Sequence, residues 1–291
     1  AGGGPVRLHV YRHNDMEHLE SLLSATPPGV RRLVVSDSLF SMDGDFADLR
    51  GLVALKRRHP FLLALDEAHA SLVCGPTGGG AAEAAGVADQ VDLHIGTLSK
   101  AFGCQGGFLA CSAALKQLML NRGRPFVYST ALPVPVVEAA AAALRVSYRE
   151  SWRRAHVWSL AARLGRGLGV PALSPVVPLV VGGQEAALGL SGRLLGEARM
   201  HVPAIRPPTV PPGTCRLRVS LSAAHSTADV DELISVVRQS GVRLMRLPHL
   251  LDPRAGLPGG GPDGEGSLVA RGGLRAAAAG RGGEGDVRCR L

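Results

Sequence analysis

Phe61-Leu62-Leu63-Ala64-Leu65-Asp66-Glu67-Ala68-His69 is a short apolar run that ends in two carboxylates, with a histidine three positions after the first. A run of this length, closed by polar groups, predicts a buried strand whose carboxyl end carries side chains with chemistry. The surrounding chain repeats the pattern. Apolar runs at 33–35, 91–95 and 108–111 predict further buried strands. Between the first two strands, 46–59 places Leu49, Leu52, Val53 and Leu55 along one side of a predicted helix, and further helices are expected at 81–86 and 112–122. Strands separated by helical stretches point to an α/β domain with a mostly parallel sheet, where ligands gather at the carboxyl ends of the strands.

Beyond position 132 the pattern changes. Residues 133–170 are Ala-rich and helical, a connecting helix with a possible break. A smaller α+β domain follows over 171–245, with strands at 176–181 and 216–222 and helices at 184–199 and 227–239. Ser226 or Thr227 is the expected N-cap of the last helix, whose first turns carry Asp229, Asp231 and Glu232. Residues 1–132 thus form the large domain, and 246–291 read as a low-complexity tail. From Asp252 onward 12 of 40 residues are Gly and six are Arg, too little apolar surface to offset chain entropy, so disorder is expected there.

Composition narrows the function classes. The 291 residues carry a net charge of +8, but Lys occurs only at 56, 100 and 116, so the basic character is almost all Arg. These arginines are scattered and aromatics are 4%, so no stacking platform for nucleic acid is formed. No window approaches a membrane span. Five cysteines, an odd number without a CxxC, argue against a disulfide scaffold and show no zinc site. They read as reduced thiols of an intracellular protein.

Two elements carry the chemistry. Asp66 at a strand end needs a cationic or hydrogen-bonded partner, and a protonated pyridine nitrogen is one. His69 is placed to reach the phenolic oxygen or the ring of such a cofactor. A nucleotide role for Asp66-Glu67-Ala68-His69 would need a GxxxxGK[ST] loop, which the sequence lacks. The second element is Gly96-Thr97-Leu98-Ser99-Lys100-Ala101-Phe102-Gly103, a loop directly after a predicted strand. Lys100 there is either a solvated loop lysine or a desolvated amine able to form a Schiff base with an aldehyde. Two weaker elements accompany them. Ser38-Leu39-Phe40-Ser41-Met42-Asp43-Gly44-Asp45 is a polar loop at the same sheet edge. Arg216 and Arg218 share a strand face, from which an arginine can grip a carboxylate in fork fashion.

Together FSMDGD, LDEAHA, GPTGGG, GTLSKAFGCQGGF, RGRPFVYSTALP, AIRPPTVPPGT and RLRVSLSAAH resemble the α-oxoamine synthase family, a branch of the fold-type-I pyridoxal-phosphate enzymes. The resemblance runs from about Arg12 to Val237, and the AIRPPTVP run and the CQGGFLACS stretch resemble the biotin-synthesis branch in its plant and algal form. It implies pyridoxal 5'-phosphate bound covalently to Lys100, with Asp66 on the pyridine nitrogen, His69 and Ser41 near the ring oxygen, and Thr97 near the phosphate. Thr130 would reach the phosphate of the other subunit of a homodimer. Arg218 would bind the amino-acid carboxylate, with Arg206 a second substrate-side candidate. The implied reaction joins L-alanine to a pimeloyl thioester with loss of carbon dioxide, without nucleic acid or membrane. Alternatives are the glycine- or serine-using members, namely 5-aminolevulinate synthase, 2-amino-3-ketobutyrate CoA ligase and serine palmitoyltransferase, or an inactive fragment or non-catalytic partner. The family's phosphate-binding glycine turn and ring-stacking histidine precede the His13-Asn14-Asp15 segment, so an N-terminally truncated chain is expected. Asp37 stands where the family more often has Glu. The ending Cys289-Arg290-Leu291 resembles a peroxisomal address, so a cytoplasmic or peroxisomal location is expected.

Overall fold

The computed structural model describes residues 6–252 and 255–256. Most of the expected 252–291 tail, with the Cys289-Arg290-Leu291 ending, lies outside the described residues.

The chain enters through α1 (Met16–Ser24), then β1 (Leu33–Asp37), α2 (Leu49–Arg58), β2 (Leu62–Asp66), α3 (Ala81–Ala85), β3 (Leu93–Thr97) and β4 (Gly107–Cys111). These strands form a four-stranded sheet in sequence order, β1-β2-β3 parallel and β4 antiparallel to β3. The sheet is therefore mostly parallel, as expected. Helices α4 (Ala113–Arg122), α5 (Arg124–Val127), α6 (Val134–Arg149) and α7 (Trp152–Leu168) lead to the second lobe. There β5 (Val176–Gly182), β6 (Ala204–Ile205) and β7 (Cys215–Ser220) form an antiparallel sheet ordered β5-β7-β6, packed by α7, α8 (Gln184–Ala198) and α9 (Thr227–Gln239). This is the large-plus-small-domain architecture of the fold-type-I pyridoxal-phosphate enzymes.

Several boundaries have local causes. The helix expected from 46 starts at Leu49, because Asp48 accepts the Gly51 N–H at 2.8 Å as its N-cap while Phe46 bridges back to Leu39. The connecting segment breaks at Glu150 and Ser151 into two helices. Ser226 caps α9 in a reciprocal capping box with Asp229.

Three expectations are corrected. The run 108–111 was expected to be a buried parallel strand, yet β4 runs antiparallel to β3 at the sheet edge, and Phe108 and Leu109 are each 41% exposed. The run 33–35 was expected to be buried throughout, yet Leu33 and Val35 are 57% and 54% exposed while Val34 is buried. Helices α1, α2 and α3 cover one face of the large sheet, and no described residue covers Leu33 and Val35 on the other. The tail expected from 246 begins as ordered structure. Pro248–Leu251 forms a 3-10 turn, Leu250 and Ala255 are buried, and the Ala255 carbonyl accepts the Phe46 N–H at 2.8 Å. An apolar Leu250 and a paired backbone hold this stretch down, which Gly content alone could not reveal.

The lobes are held together where the 38–46 loop meets the small sheet. Gly44, at φ +68°, lies so close to Val176 that a Cβ would stand 1.9 Å from its carbonyl oxygen, which only glycine permits. Beside it Arg216, almost wholly buried on β7, pairs with Asp43 and donates to the Met42 carbonyl at 3.3 Å. Trp158 on α7 donates its indole N–H to the Val73 carbonyl at 3.0 Å.

Candidate active site

The tips of β1, β2 and β3 bring carboxylates and the lysine loop together. In the parallel register Asp37 lies opposite Asp66, and Asp66 opposite Ile95, five residues before Lys100. Asp66 accepts the Ala68 N–H at 2.8 Å, which tightens the turn that carries His69. Burial and the neighbouring Asp66 carboxylate push the Asp37 pKa up, and the Lys100 ammonium pulls it back. Burial, then the charges of Lys100 and Arg218, lower the His69 pKa to about 4 against the pull of Asp66. His69 is therefore a neutral imidazole at physiological pH.

A cavity of about 760 Å³ opens between the lobes. Lys100, His69 and Arg218 all line it, with Ala223 and Ala224 after β7 and Val146, Arg154 and Val157 of the connecting helices. Arg218 reaches the Ser41 carbonyl at 3.4 Å through one terminal nitrogen, while its Nε is buried with no hydrogen-bond partner. A buried guanidinium N–H with nothing to donate to invites an acceptor.

The structure thus gathers Lys100, His69 and Arg218 on one cavity, with Lys100 exposed rather than desolvated as one reading of its loop expected, puts Asp66 at the adjoining strand tip, and sets the Ser41 carbonyl against Arg218. Thr97 sits at the end of β3, its hydroxyl 2.8 Å from that of Ser99 next to Lys100. Asp66, Ser41 and Thr97 do not line the cavity, and neither do Thr130 and Arg206, which are exposed. Glu67 has a different task from its neighbours in the motif. It is buried, accepts from Ser38 Oγ at 2.9 Å and from the Ala81 and Ala82 N–H groups at 2.8 and 3.0 Å, and so anchors the start of α3. A Cβ at Gly80 would come within 2.5 Å of that carboxylate. Sequence reasoning did not place Asp37 or Arg154 at the site. The matching aspartates that close two adjacent strands were the available signal for the first; for the second there was none.

The donor set fits pyridoxal phosphate: an amine, a neutral imidazole and an unsatisfied guanidinium line one cavity, and a carboxylate outside its lining closes the neighbouring strand. The model of aminotransferases of class I and II matches residues 1–237. The chain belongs to that family. Within the aminotransferase class I and II family it is 53% identical over 234 residues to the 8-amino-7-oxononanoate synthase of Arabidopsis thaliana, covering 80% of this chain and 49% of that protein. The enzyme of the same name from Anaeromyxobacter dehalogenans is 49% identical over 233 residues, 78% of this chain and 58% of its own. Among solved structures, the Sphingomonas wittichii serine palmitoyltransferase superposes with a TM-score of 0.76 at 34% identity, over 79% of this chain and 60% of that one. The α-oxoamine synthase resemblance of the motifs is borne out. The chain spans about half to three-fifths of the length of these family relatives.

Proposed function

We propose that this chain carries the lysine centre of a pyridoxal-phosphate-dependent acyltransferase that condenses L-alanine with pimeloyl-CoA, or a pimeloyl carrier-protein thioester, to give 8-amino-7-oxononanoate for biotin synthesis. The observation that carries this is the convergence of Lys100, His69 and Arg218 on one inter-lobe cavity beside the Asp66 strand tip. When bound, pyridoxal phosphate supplies an aldehyde that condenses with amines and a ring that spreads negative charge from the substrate α-carbon.

The chain's own residues do the rest. Lys100 would hold the cofactor covalently and, as a free amine, would accept the α-proton of alanine. Asp66 would keep a proton on the ring nitrogen, where a positive charge is needed. Neutral His69 would lie by the ring without adding a charge. The fork of Arg218, with its unsatisfied Nε, binds the alanine carboxylate. On the family resemblance, Thr97 and Ser41 would supply polar groups at the phosphate and the ring oxygen. The apolar wall of Leu72, Val73, Val146 and Val157 suits a pimeloyl chain. The balance closes. One C–C bond forms at the thioester carbon and its C–S bond breaks, the thiolate taking a proton from solvent; the alanine carboxylate leaves as carbon dioxide, and the α-carbon takes back the proton that Lys100 had removed. Thr130 lines no part of this cavity; a cofactor role for it would need a homodimer in which it faces the partner's site.

The 53% identity to the Arabidopsis enzyme supports alanine over the serine and glycine of other branches. The test is to add pyridoxal phosphate, then each amino acid, and follow the cofactor's near-visible absorption, with thiol release from pimeloyl-CoA as the second readout. Alanine should change the spectrum at the lowest concentration and alone drive thiol release. Faster release with glycine or serine, or no lysine-bound band at all, overturns the proposal. Asp66→Asn should slow turnover by about 10²–10³, the usual cost of a lost preorganised charge.

A further inference from the structure

A second polar cluster lies across the 38–46 loop from the cavity. His13, Asp43 and His249 each offer a nitrogen or oxygen, and these atoms lie within 4.8 Å of one another. They come from the segment before α1, from the loop and from the 248–251 turn. His13 and His249 also line a small cavity of about 370 Å³ with Asp45 and Asp48; Asp43 stands outside its lining, on the loop side of the two imidazoles.

Three features point to a cation. His249 Nε2 stands 3.7 Å from Asp43 Oδ2, too far for a hydrogen bond. Two donors sharing a tetrahedral ion at ~2.0–2.1 Å stand about 3.3 Å apart, so a small closing motion suffices. Asp43 is already polarised, since Arg216 holds its Oδ1 and leaves Oδ2 towards His249. Finally, Asp45 is only 1% exposed, and its Oδ2 accepts from His13 Nε2 at 2.7 Å and Asn14 Nδ2 at 3.2 Å. Its Oδ1 is buried with no partner. A carboxylate fixing one imidazole nitrogen is the arrangement that stands behind metal-binding histidines; here it also holds the His13 pKa above its ordinary value, so a metal ion competes with a proton on that imidazole.

We propose that His13, Asp43 and His249, supported by Asp45, bind one divalent ion of the zinc class. Two imidazoles and one carboxylate suit zinc and its neighbours, whereas calcium and magnesium want oxygen alone. Three protein ligands leave the fourth position to water. The ion would clip the 248–251 turn to the loop whose Ser41 carbonyl meets Arg218, and so brace one wall of the inter-lobe cavity. The sequence expectation of no zinc site rested on spacing. These ligands sit at 13, 43 and 249, where no spacing rule reaches.

The test uses the whole chain, stripped with a chelator and titrated with Zn²⁺ against a chromophoric competitor, with the thermal midpoint recorded at each step. One Zn²⁺ per chain should bind and raise the midpoint. His249→Ala, at an exposed side chain, should keep the metal-free midpoint yet weaken binding at least about tenfold and abolish the rise. Asp45→Asn should weaken it by a smaller factor. No stoichiometric binding, or equal affinity for wild type and His249→Ala, overturns the proposal.

Discussion

The two sheets of this molecule are built on different terms. In the small lobe every residue of β5 is buried, and Leu160, Leu164, Leu179, Leu194 and Leu217 are wholly enclosed between the sheet and α7, α8 and α9. In the large domain the strands carry similar apolar residues, but Leu33, Val35, Leu62, Phe108 and Leu109 are 41–57% exposed. Apolar composition is alike in the two sheets; cover is not. Side chains that are never taken out of water contribute little, so the small lobe holds most of its stability in its own core. The large domain packs a core on one face of its sheet only, around Leu52, Leu55, Leu63 and Leu65, and its strand tips aim Asp37, Asp66 and the Lys100 loop at one edge.

That contrast predicts unequal sensitivity. Leu217→Ala, in the central strand of the small sheet, should cost about 4 kcal/mol in urea unfolding, because it opens a cavity with nothing near to fill it. Asp43→Ala tests the seam between the sheets. It strands the buried Arg216 charge and should cost about 3 kcal/mol, and it should also split a single unfolding transition into two. A single transition at an unchanged midpoint would mean the seam is not electrostatic.

The next effect is read in protons. The His69 pKa lies below its unfolded value, so its contribution to stability is complete above about pH 6.5 and is lost as pH falls towards about 4. Imidazole NMR should show His69 neutral at pH 5.5, and Lys100→Ala should raise its midpoint by removing a positive neighbour. A wild-type midpoint near 6.5 would dissociate His69 from the lysine. The smallest effect belongs to the open sheet face. Val35→Thr should change stability by less than about 0.5 kcal/mol, and a cost of core size would show that this face is covered in solution.

Much of this was legible in the residues, and the reasons are physical. The strand-end carboxylate and the lysine loop could be read because a strand's carboxyl end is a fixed address in parallel sheets, and Lys100 stood out among three lysines. The capping box at Ser226 is local chemistry and was readable as such. The one-sided burial of β1 was not, because a short apolar run looks the same whether one face or both are packed. Nor was Arg216 as the partner of Asp43. Its strand neighbour Arg218 has the same residue type and face, and only tertiary packing separates the arginine that ties the lobes together from the one left free for a ligand. Leu250 and His249 were hidden by a glycine-rich continuation whose composition says nothing about the anchored turn before it.

The central claim is that one amine of this chain is the cofactor anchor, and the scarcity of lysine makes it directly testable. Lys56 is held by Asp92 at 2.5 Å and the Gln90 carbonyl at 2.7 Å, and Lys116 lies on α4, which has no buried residue. After loading with pyridoxal phosphate, borohydride reduction and peptide mass spectrometry should find the reduced adduct at Lys100 alone. Equal labelling of Lys56 or Lys116, or no adduct at position 100, would contradict the account.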